Sequence, residues 1–375
     1  MNLTEIARLA KVSAATASRT INGMPSVHPV LARRVWRVIE QVGYYPNIQA
    51  RALISGRSRI FGLLVAEISN PFFHEVIQSF AQLGIKHRYE ILLTSIGEDA
   101  NQLEIAARRM IERRVDGVAI LTFGPDHSLV EFFRNRKVPV FSIGVDSPGQ
   151  FLNTVRIDYQ HGIRQAVQHL AALGHLHIAF VSGPPRLNTA LLRRIAFQEC
   201  MKEIGLVVTP ELLVEGDHTM EAGMKALSTL AALPNRPSAV ICSNDLIAIG
   251  VMRQAFELAL DVPGELSVVG FDDIRLAQFM IPPLTTVRMS QTEIAESAFT
   301  ALLECVECEH GRSLHEPGII RTNLVLRRST ALAPHRRMKT GCSGSQSATS
   351  KQGLDSSLSE QVRKQSSQNP SSDVV

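Results

Sequence analysis

Residues 4–22 read TEIARLAKVSAATASRTIN, and this stretch decides the architecture of the amino-terminal region. Ile6, Ala7 and Ala10 fall on one face at helical spacing. Thr4 is placed to cap a first helix over residues 5–10, with Leu3 available as a hydrophobic staple. Val12 and Ser13 interrupt the pattern, and Ser13 is a good N-cap for a second helix over residues 14–21. A third helix, roughly 29–42, brings Val30, Val35, Val38, Ile39 and Val42 to close a small core. Two short helices joined by a tight turn with small residues at the crossing predict a helix-turn-helix.

Such a geometry predicts a second helix lying in the major groove of DNA. Ala14 and Ala15 are short enough for close approach and for apolar contact with a thymine methyl. Arg19 reaches furthest and suits a bidentate bond to guanine. Ser13, Thr16, Ser18 and Asn22 suit phosphate contacts, which set register. The competing reading is a three-helix bundle that binds nothing. Charge separates the two: residues 1–59 carry nine Lys/Arg against two acids, a net of +7.

The rest of the 375 residues is different in kind. Residues 60–335 hold 24 basic and 30 acidic side chains, and residues 336–375 hold six and three. A basic head on a mildly acidic body implies an anionic partner for the head alone. Strand-like runs at 60–65, 91–95, 117–121, 138–143, 178–182, 238–242 and 267–271 alternate with helical stretches such as 73–87 and 162–173, the latter closing on Gly174 as a left-handed cap. This alternation predicts parallel sheets with crossover helices, in too many units for one compact sheet, hence two α/β subdomains. Residues 336–375 contain eleven serines and little apolar content, which predicts a disordered tail without a heptad repeat.

Between head and body, Pro46 ends the bundle, Asn47 can cap a short helix over 48–54, and Ser55-Gly56 stops it. Seven residues are too few for an isolated helix, so this hinge is expected to form only against a partner or on DNA. Apolar runs are too short to span a membrane, the start has no secretory pattern, and five cysteines fit a reducing compartment. No dinucleotide fingerprint, phosphate-binding loop, zinc-protease helix or nucleophile elbow is present, so neither an enzyme nor a cofactor is expected. Cys305 and Cys308 form a lone pair without a second pair at metal spacing, and no metal site is expected; His175 and His177 are read as structural.

The motifs at 4–13, 16–22, Gly-Tyr-Tyr-Pro-Asn (43–47), Ile-Ser-Asn-Pro-Phe-Phe (68–73), Cys-Ser-Asn-Asp (242–245), Val-Val-Gly-Phe-Asp-Asp (268–273) and Pro-Pro-Leu-Thr-Thr-Val-Arg (282–288) together resemble the lactose-repressor (LacI) family of bacterial transcription regulators, over about residues 2–333. The resemblance implies an N-terminal all-α helix-turn-helix domain (1–46), a hinge helix and linker (47–59), a two-subdomain α/β periplasmic-binding-protein-like core with parallel sheets (60–333), and a tail (334–375). The subdomains would be about 60–158 with 290–318, and about 159–289 with 319–333. It further implies a cytoplasmic homodimeric repressor on a pseudo-palindromic double-stranded DNA operator, controlled by a small-molecule effector such as a sugar or other metabolite. Recognition positions fall on Ala14, Ala15 and Arg19, and the leucine wedged into the minor groove falls on Leu53, beside Ala50.

An effector would sit between the subdomains at the carboxyl ends of the strands. Asn70, Phe72 and Phe73 follow the first strand, where the aromatics can stack on a flat ligand, although Phe73 reads equally as the first core residue of a helix. Arg193 matches the family's effector-clamping arginine. Asn244 with Asp245, and Asp272 with Asp273, end apolar strands, where a ligand hydroxyl or a helix N-cap bond would satisfy them. Two departures stand out. Sugar-binding members often carry an aspartate at the end of the fourth strand, where this chain has Gly144, with Asp146 two residues on; and Lys11 occupies a turn position often held by glycine. Two other functions remain open: an α/β small-molecule binding protein or enzyme whose basic head is vestigial or docks on protein, and a regulator whose effector is a partner protein.

Overall fold

Asn2, not Thr4, opens the first helix. Its side-chain oxygen accepts the Glu5 N–H at 3.0 Å, and the Glu5 carboxylate accepts the Asn2 N–H at 2.9 Å. This reciprocal capping box needs an acid three residues after the cap, and Glu5 supplies it only for Asn2. The computed structural model describes residues 2–21, 24, 26–44, 56–95, 100–122, 127–143, 151–307 and 318–334. The expectations for Asn22, for the hinge with Ala50 and Leu53, for Gly144 and Asp146, and for the tail lie outside the described residues.

Helix α1 (Leu3–Leu9) is followed by α2 (Ala14–Ile21), which starts where Ser13 Oγ accepts the Thr16 N–H at 3.1 Å. Between them Lys11 adopts a left-handed φ of 52°. That conformation costs a side-chain-bearing residue about 1 kcal/mol, and glycine would relieve it. Helix α3 (Pro29–Val42) begins on a proline and ends at Gly43. Ile6, Ala7, Ala10, Ala17, Val35 and Ile39 are buried together, with Val12, Val38 and Val42 packed against them. Val30 is exposed instead of joining them. It lies five residues before Val35, which puts it on the far side of the helix.

The body runs β1 (Ile60–Val65), α4 (Pro71–His87), β2 (Glu90–Ser95), α5 (Ala100–Glu112), β3 (Gly117–Leu121), α6 (His127–Arg134), β4 (Val140–Ile143), β5 (Leu152–Asp158), α7 (Tyr159–Ala172), β6 (Ile178–Ser182), α8 (Asn188–Glu203), β7 (Leu213–Glu215), α9 (Met220–Ala231), β8 (Ala239–Cys242), α10 (Asp245–Glu257), β9 (Ser267–Asp272), β10 (Thr285–Arg288), α11 (Gln291–Glu307), β11 (Gly318–Arg321) and β12 (Asn323–Val325). Among the described residues these strands form two six-stranded sheets, ordered β11-β5-β4-β3-β1-β2 and β12-β10-β9-β8-β6-β7. Every pairing is parallel except β10 with β12. The fully buried runs of β3, β6, β8 and β9, and of β1 after Ile60, are what a sheet covered on both faces requires. Among the described residues no helix is long and apolar enough to cross a membrane.

The chain passes between the sheets after β5, between β10 and α11, and after β11. The last passage was expected near residue 318. It falls instead at Thr322, because Gly318–Arg321 pairs with β5 in the first sheet, Ile320 opposite Ile157. The first and last passages are stitched together: Thr322 Oγ1 donates to Asp158 O at 2.7 Å and accepts the Gly162 N–H at 3.0 Å. His175 is fully buried, with Nδ1 2.8 Å from Ser238 Oγ and Nε2 3.0 Å from both Ser267 Oγ and Ala331 O, an internal role that matches its reading as structural.

Helices α9 and α10 approach each other through Gly223 and Gly250. A Cβ on Gly250 would overlap the Met220 carbonyl oxygen, which is backbone and cannot rotate away. Gly250→Ala is therefore expected to destabilise the core by about 1–3 kcal/mol or more, read as a lower denaturant midpoint with an unchanged slope.

Candidate functional site

Helix α2 divides its residues sharply. Ala14, Ala15 and Arg19 are exposed, Thr16 and Ser18 are half-buried, and Ala17 and Thr20 are buried against the other two helices. Ser13 Oγ and Thr16 Oγ1 lie 2.8 Å apart, and Thr20 Oγ1 donates to Thr16 O at 2.9 Å. The outward face of this helix is therefore small and apolar at its start and cationic at Arg19. Arg8 of α1, Lys11 in the turn after it, and Arg33, Arg34 and Arg37 of α3 are also exposed.

The second candidate site is a cleft where the carboxyl ends of both sheets meet. Its empty space, mouth included, is about 460 Å³. Phe72, Phe73 and Val76 of α4, Leu121 and Thr122 at the end of β3, Ile143 of β4 and Ile157 of β5 line it from the first sheet's side. Tyr159 of α7, Thr189 and Arg193 of α8, and Asp272 of β9 line it from the second, with Met289 and Ile294 where α11 begins. This is the crevice at strand carboxyl ends that doubly wound sheets offer to ligands.

Arg193 organises the polar part of the cleft. One terminal nitrogen donates to Ser243 O at 2.5 Å and the other to Asp272 Oδ1 at 3.2 Å. The guanidinium carbon stands 4.0 Å from the ring centre of Phe271 and 5.2 Å from that of Tyr159. The side chain is buried, yet its Nε has no hydrogen-bond partner among the described residues, and neither has the Thr189 hydroxyl. Positions 189 and 193 are four apart on one helix and share a face, so two unsatisfied polar atoms converge on the same space. Behind Arg193, His218 Nε2 lies 3.2 Å from Ser243 Oγ.

The other sequence-derived candidates hold the cleft together without lining it, or do both. Asn70 caps α4 through the Phe72 N–H at 3.0 Å, which aims Phe72 and Phe73 inward. Asn244 caps α10, accepting the Ile247 N–H at 2.9 Å and donating to His218 O at 3.1 Å. Asp245 is fully buried, accepting the Thr286 hydroxyl at 2.5 Å and the Ile274 N–H at 2.8 Å. Asp273 pairs with Arg288 at 2.7 Å and Arg327 at 2.6 Å. Of the two adjacent aspartates, Asp272 faces the cleft and Asp273 faces the arginines. Tyr159, Thr189, Met289, Ile294, Ser243 and His218 were not singled out from sequence. Thr189 carried a usable signal, its four-residue spacing to Arg193; the apolar ones carried none.

Burial pushes the Asp272 carboxyl up to about 6, against the opposing pull of Arg193. Burial of Asp245, reinforced by the nearby Asp272 charge, raises its carboxyl well above the usual range. Burial and the Arg193 charge lower His218 to about 3.

A two-lobed α/β core with a ligand-sized cleft, carried on one chain with a cationic helix-turn-helix, defines a ligand-responsive DNA-binding regulator. Residues 2–47 match the model for bacterial regulatory proteins of the lacI family, and residues 167–330 match that for a periplasmic binding protein-like domain. Catabolite control protein A of Priestia megaterium is 32% identical over 313 residues, covering 82% of this chain and 94% of that protein. The HTH-type transcriptional repressor CytR of Escherichia coli (strain K12) is 32% identical over 331 residues, covering 88% and 96%. The structure of the lac repressor dimer bound to operator and an anti-inducer superposes with a TM-score of 0.79 at 24% identity, covering 88% of this chain and 99% of that one. The chain belongs to the lacI family of bacterial regulatory proteins, and its function is transcription regulation.

The ionisation of Asp272 gives a signed prediction. Below about pH 4 this carboxyl is neutral in folded and unfolded chains alike, and its stabilising contribution is fully present. That contribution is lost as pH rises to about 6, where the folded carboxyl ionises. His218 acts in the opposite sense, adding stability as pH rises from about 3 toward its ordinary 6.5. The test is therefore a difference: the stability of Asp272→Asn relative to wild type should rise by about 1–3 kcal/mol between pH 4 and 7, measured by urea unfolding at each pH.

Proposed function

We propose that the chain is a homodimeric repressor that reads a pseudo-palindromic operator and whose affinity for it is set by a small molecule in the cleft. The observation that carries this reading is the outward face of α2, where Ala14, Ala15 and Arg19 are exposed while Ala17 and Thr20 are committed to the core. One such head reads too few bases for specificity in a genome, and a two-fold dimer doubles the site. Ser13, Thr16, Ser18 and Asn22 take phosphates, and paired hinge segments with Ala50 and Leu53 enter the minor groove. The protein works in the bacterial cytoplasm.

The effector is held by Arg193, through its unsatisfied Nε, with Asp272 and Thr189, between Phe72 and Phe73 on one side and Tyr159 on the other. Asn70, Asn244, Asp245 and Asp273 act by holding these groups in place. A ligand that draws the lobes together changes the geometry of the two hinges and thereby operator affinity.

Selection of bound duplexes from a random pool is expected to return a two-fold symmetric site. On it Arg19→Ala should weaken binding by about 1–3 kcal/mol and relax preference at one base pair of each half-site; unchanged affinity and preference would remove Arg19 from base reading. Metabolites that shift the melting temperature of the wild-type chain should no longer do so with Arg193→Met. If that variant still responds in operator titrations, the effector is a partner protein on the core surface.

A further inference from the structure

The chain enters the core through a clamp of three residues. Asp116, in the turn before β3, accepts the Ser58 N–H at 2.8 Å and the Ser58 hydroxyl at 2.9 Å on one carboxylate oxygen. Its other oxygen accepts the Arg59 N–H at 3.0 Å. Ser58 is buried, and its Oγ accepts the Ile60 N–H at 3.2 Å, while Asp116 N–H donates to Ile60 O at 2.8 Å. Arg59 holds a left-handed φ of 60°, its carbonyl accepts the Glu90 N–H at 2.8 Å, and its guanidinium lies 5.3 Å from the Tyr89 ring centre. Arg57 Nη2 donates to Val306 O at 2.7 Å. The three residues before β1 are thus tied to the turn before β3, the start of β2 and the end of α11.

Strand pairing alone would hold Ile60 and leave residues 57–59 free to swivel. A carboxylate that accepts two backbone N–H groups and a hydroxyl removes that freedom, and it keeps Arg59 in a conformation that residues with side chains rarely adopt. We infer that Asp116 is the positioning residue that sets the direction in which the core launches the chain toward its DNA-reading head, and so the half-site spacing that the dimer accepts. The inference rests on the function proposed above. For two linked heads, the gain from binding the second is greatest when the connection fits the span, and it is diluted when the connection is loose.

The test uses full-length wild type, Asp116→Ala and Ser58→Ala on duplexes carrying two selected half-sites at a series of spacings, and on a duplex with one half-site. Wild type should favour its best spacing over one changed by a single base pair by about tenfold, inside the usual ~5–150-fold range of coupling between linked sites. Asp116→Ala should reduce that preference to about threefold or less, with single-half-site binding unchanged. Ser58→Ala, which loses one of the three bonds to Asp116 and the acceptor for the Ile60 N–H, should fall between, and it decides the matter if Asp116→Ala does not give a wild-type circular dichroism spectrum. A merely stabilising role would lower binding to every duplex in parallel; that result, or an unchanged spacing profile in folded variants, overturns the inference. Wild type showing no preference for selected over scrambled duplexes would instead overturn the DNA-reading function, and the anchor with it.

Discussion

A guanidinium buried between two lobes has to be neutralised and hydrogen-bonded, and the centre of this molecule is arranged around that requirement. Arg193 meets it with the ends of two neighbouring strands: the Ser243 carbonyl after β8 and the Asp272 carboxylate at the end of β9. Phe271 and Tyr159 add ring faces for the cation. Each of these partners needs its own support. Asp272 takes a positive φ of 104°, and its carbonyl accepts the Gln291 side chain at 2.9 Å, which brings in the first turn of α11. Asp245 pins the loop after β9 through Ile274 and holds β10 through Thr286. Removing one member of such a set leaves another buried charge without its counterpart, the most expensive kind of loss in a protein interior.

What the arginine does not satisfy matters as much. Full satisfaction would make the centre a rigid structural pair. Among the described residues its Nε and the Thr189 hydroxyl are left over, on one helix face and beside apolar walls. Buried polar atoms without partners are rare in folded proteins and each calls for an explanation, and both of these line the cleft. In the function proposed above the same centre serves stability and recognition, because among the described residues the pairing that makes a buried cation tolerable stops one hydrogen bond short.

The long apolar strands were legible in the sequence because each is a β-rich run bounded by turn residues: 60–65, 117–121 and 178–182 coincide with β1, β3 and β6. Strand β5 was not, since Asn153, Thr154, Arg156 and Asp158 dilute its pattern, and the very short β7 and β12 offer too few residues for any period. In the cleft, Arg193 and Asp272 could be named from their motifs. The choice between Asp272 and Asp273 could not, because adjacent residues at a strand end are separated only by backbone angles and by Arg288 and Arg327, which come from later in the chain. The cap at Asn2 was readable in principle, through Glu5, and was obscured by Thr4 looking like the better cap.

The stitch at Thr322 has a mechanical consequence. One hydroxyl bonds to both ends of the first passage, Asp158 O before it and Gly162 N–H after it, while belonging to the last passage itself. Two strands of connection pinned at a common point cannot slide past each other, but they can twist together. Two of the three connections between the lobes thus share one fixed point at Thr322, beside Ile157 and Tyr159 of the cleft wall.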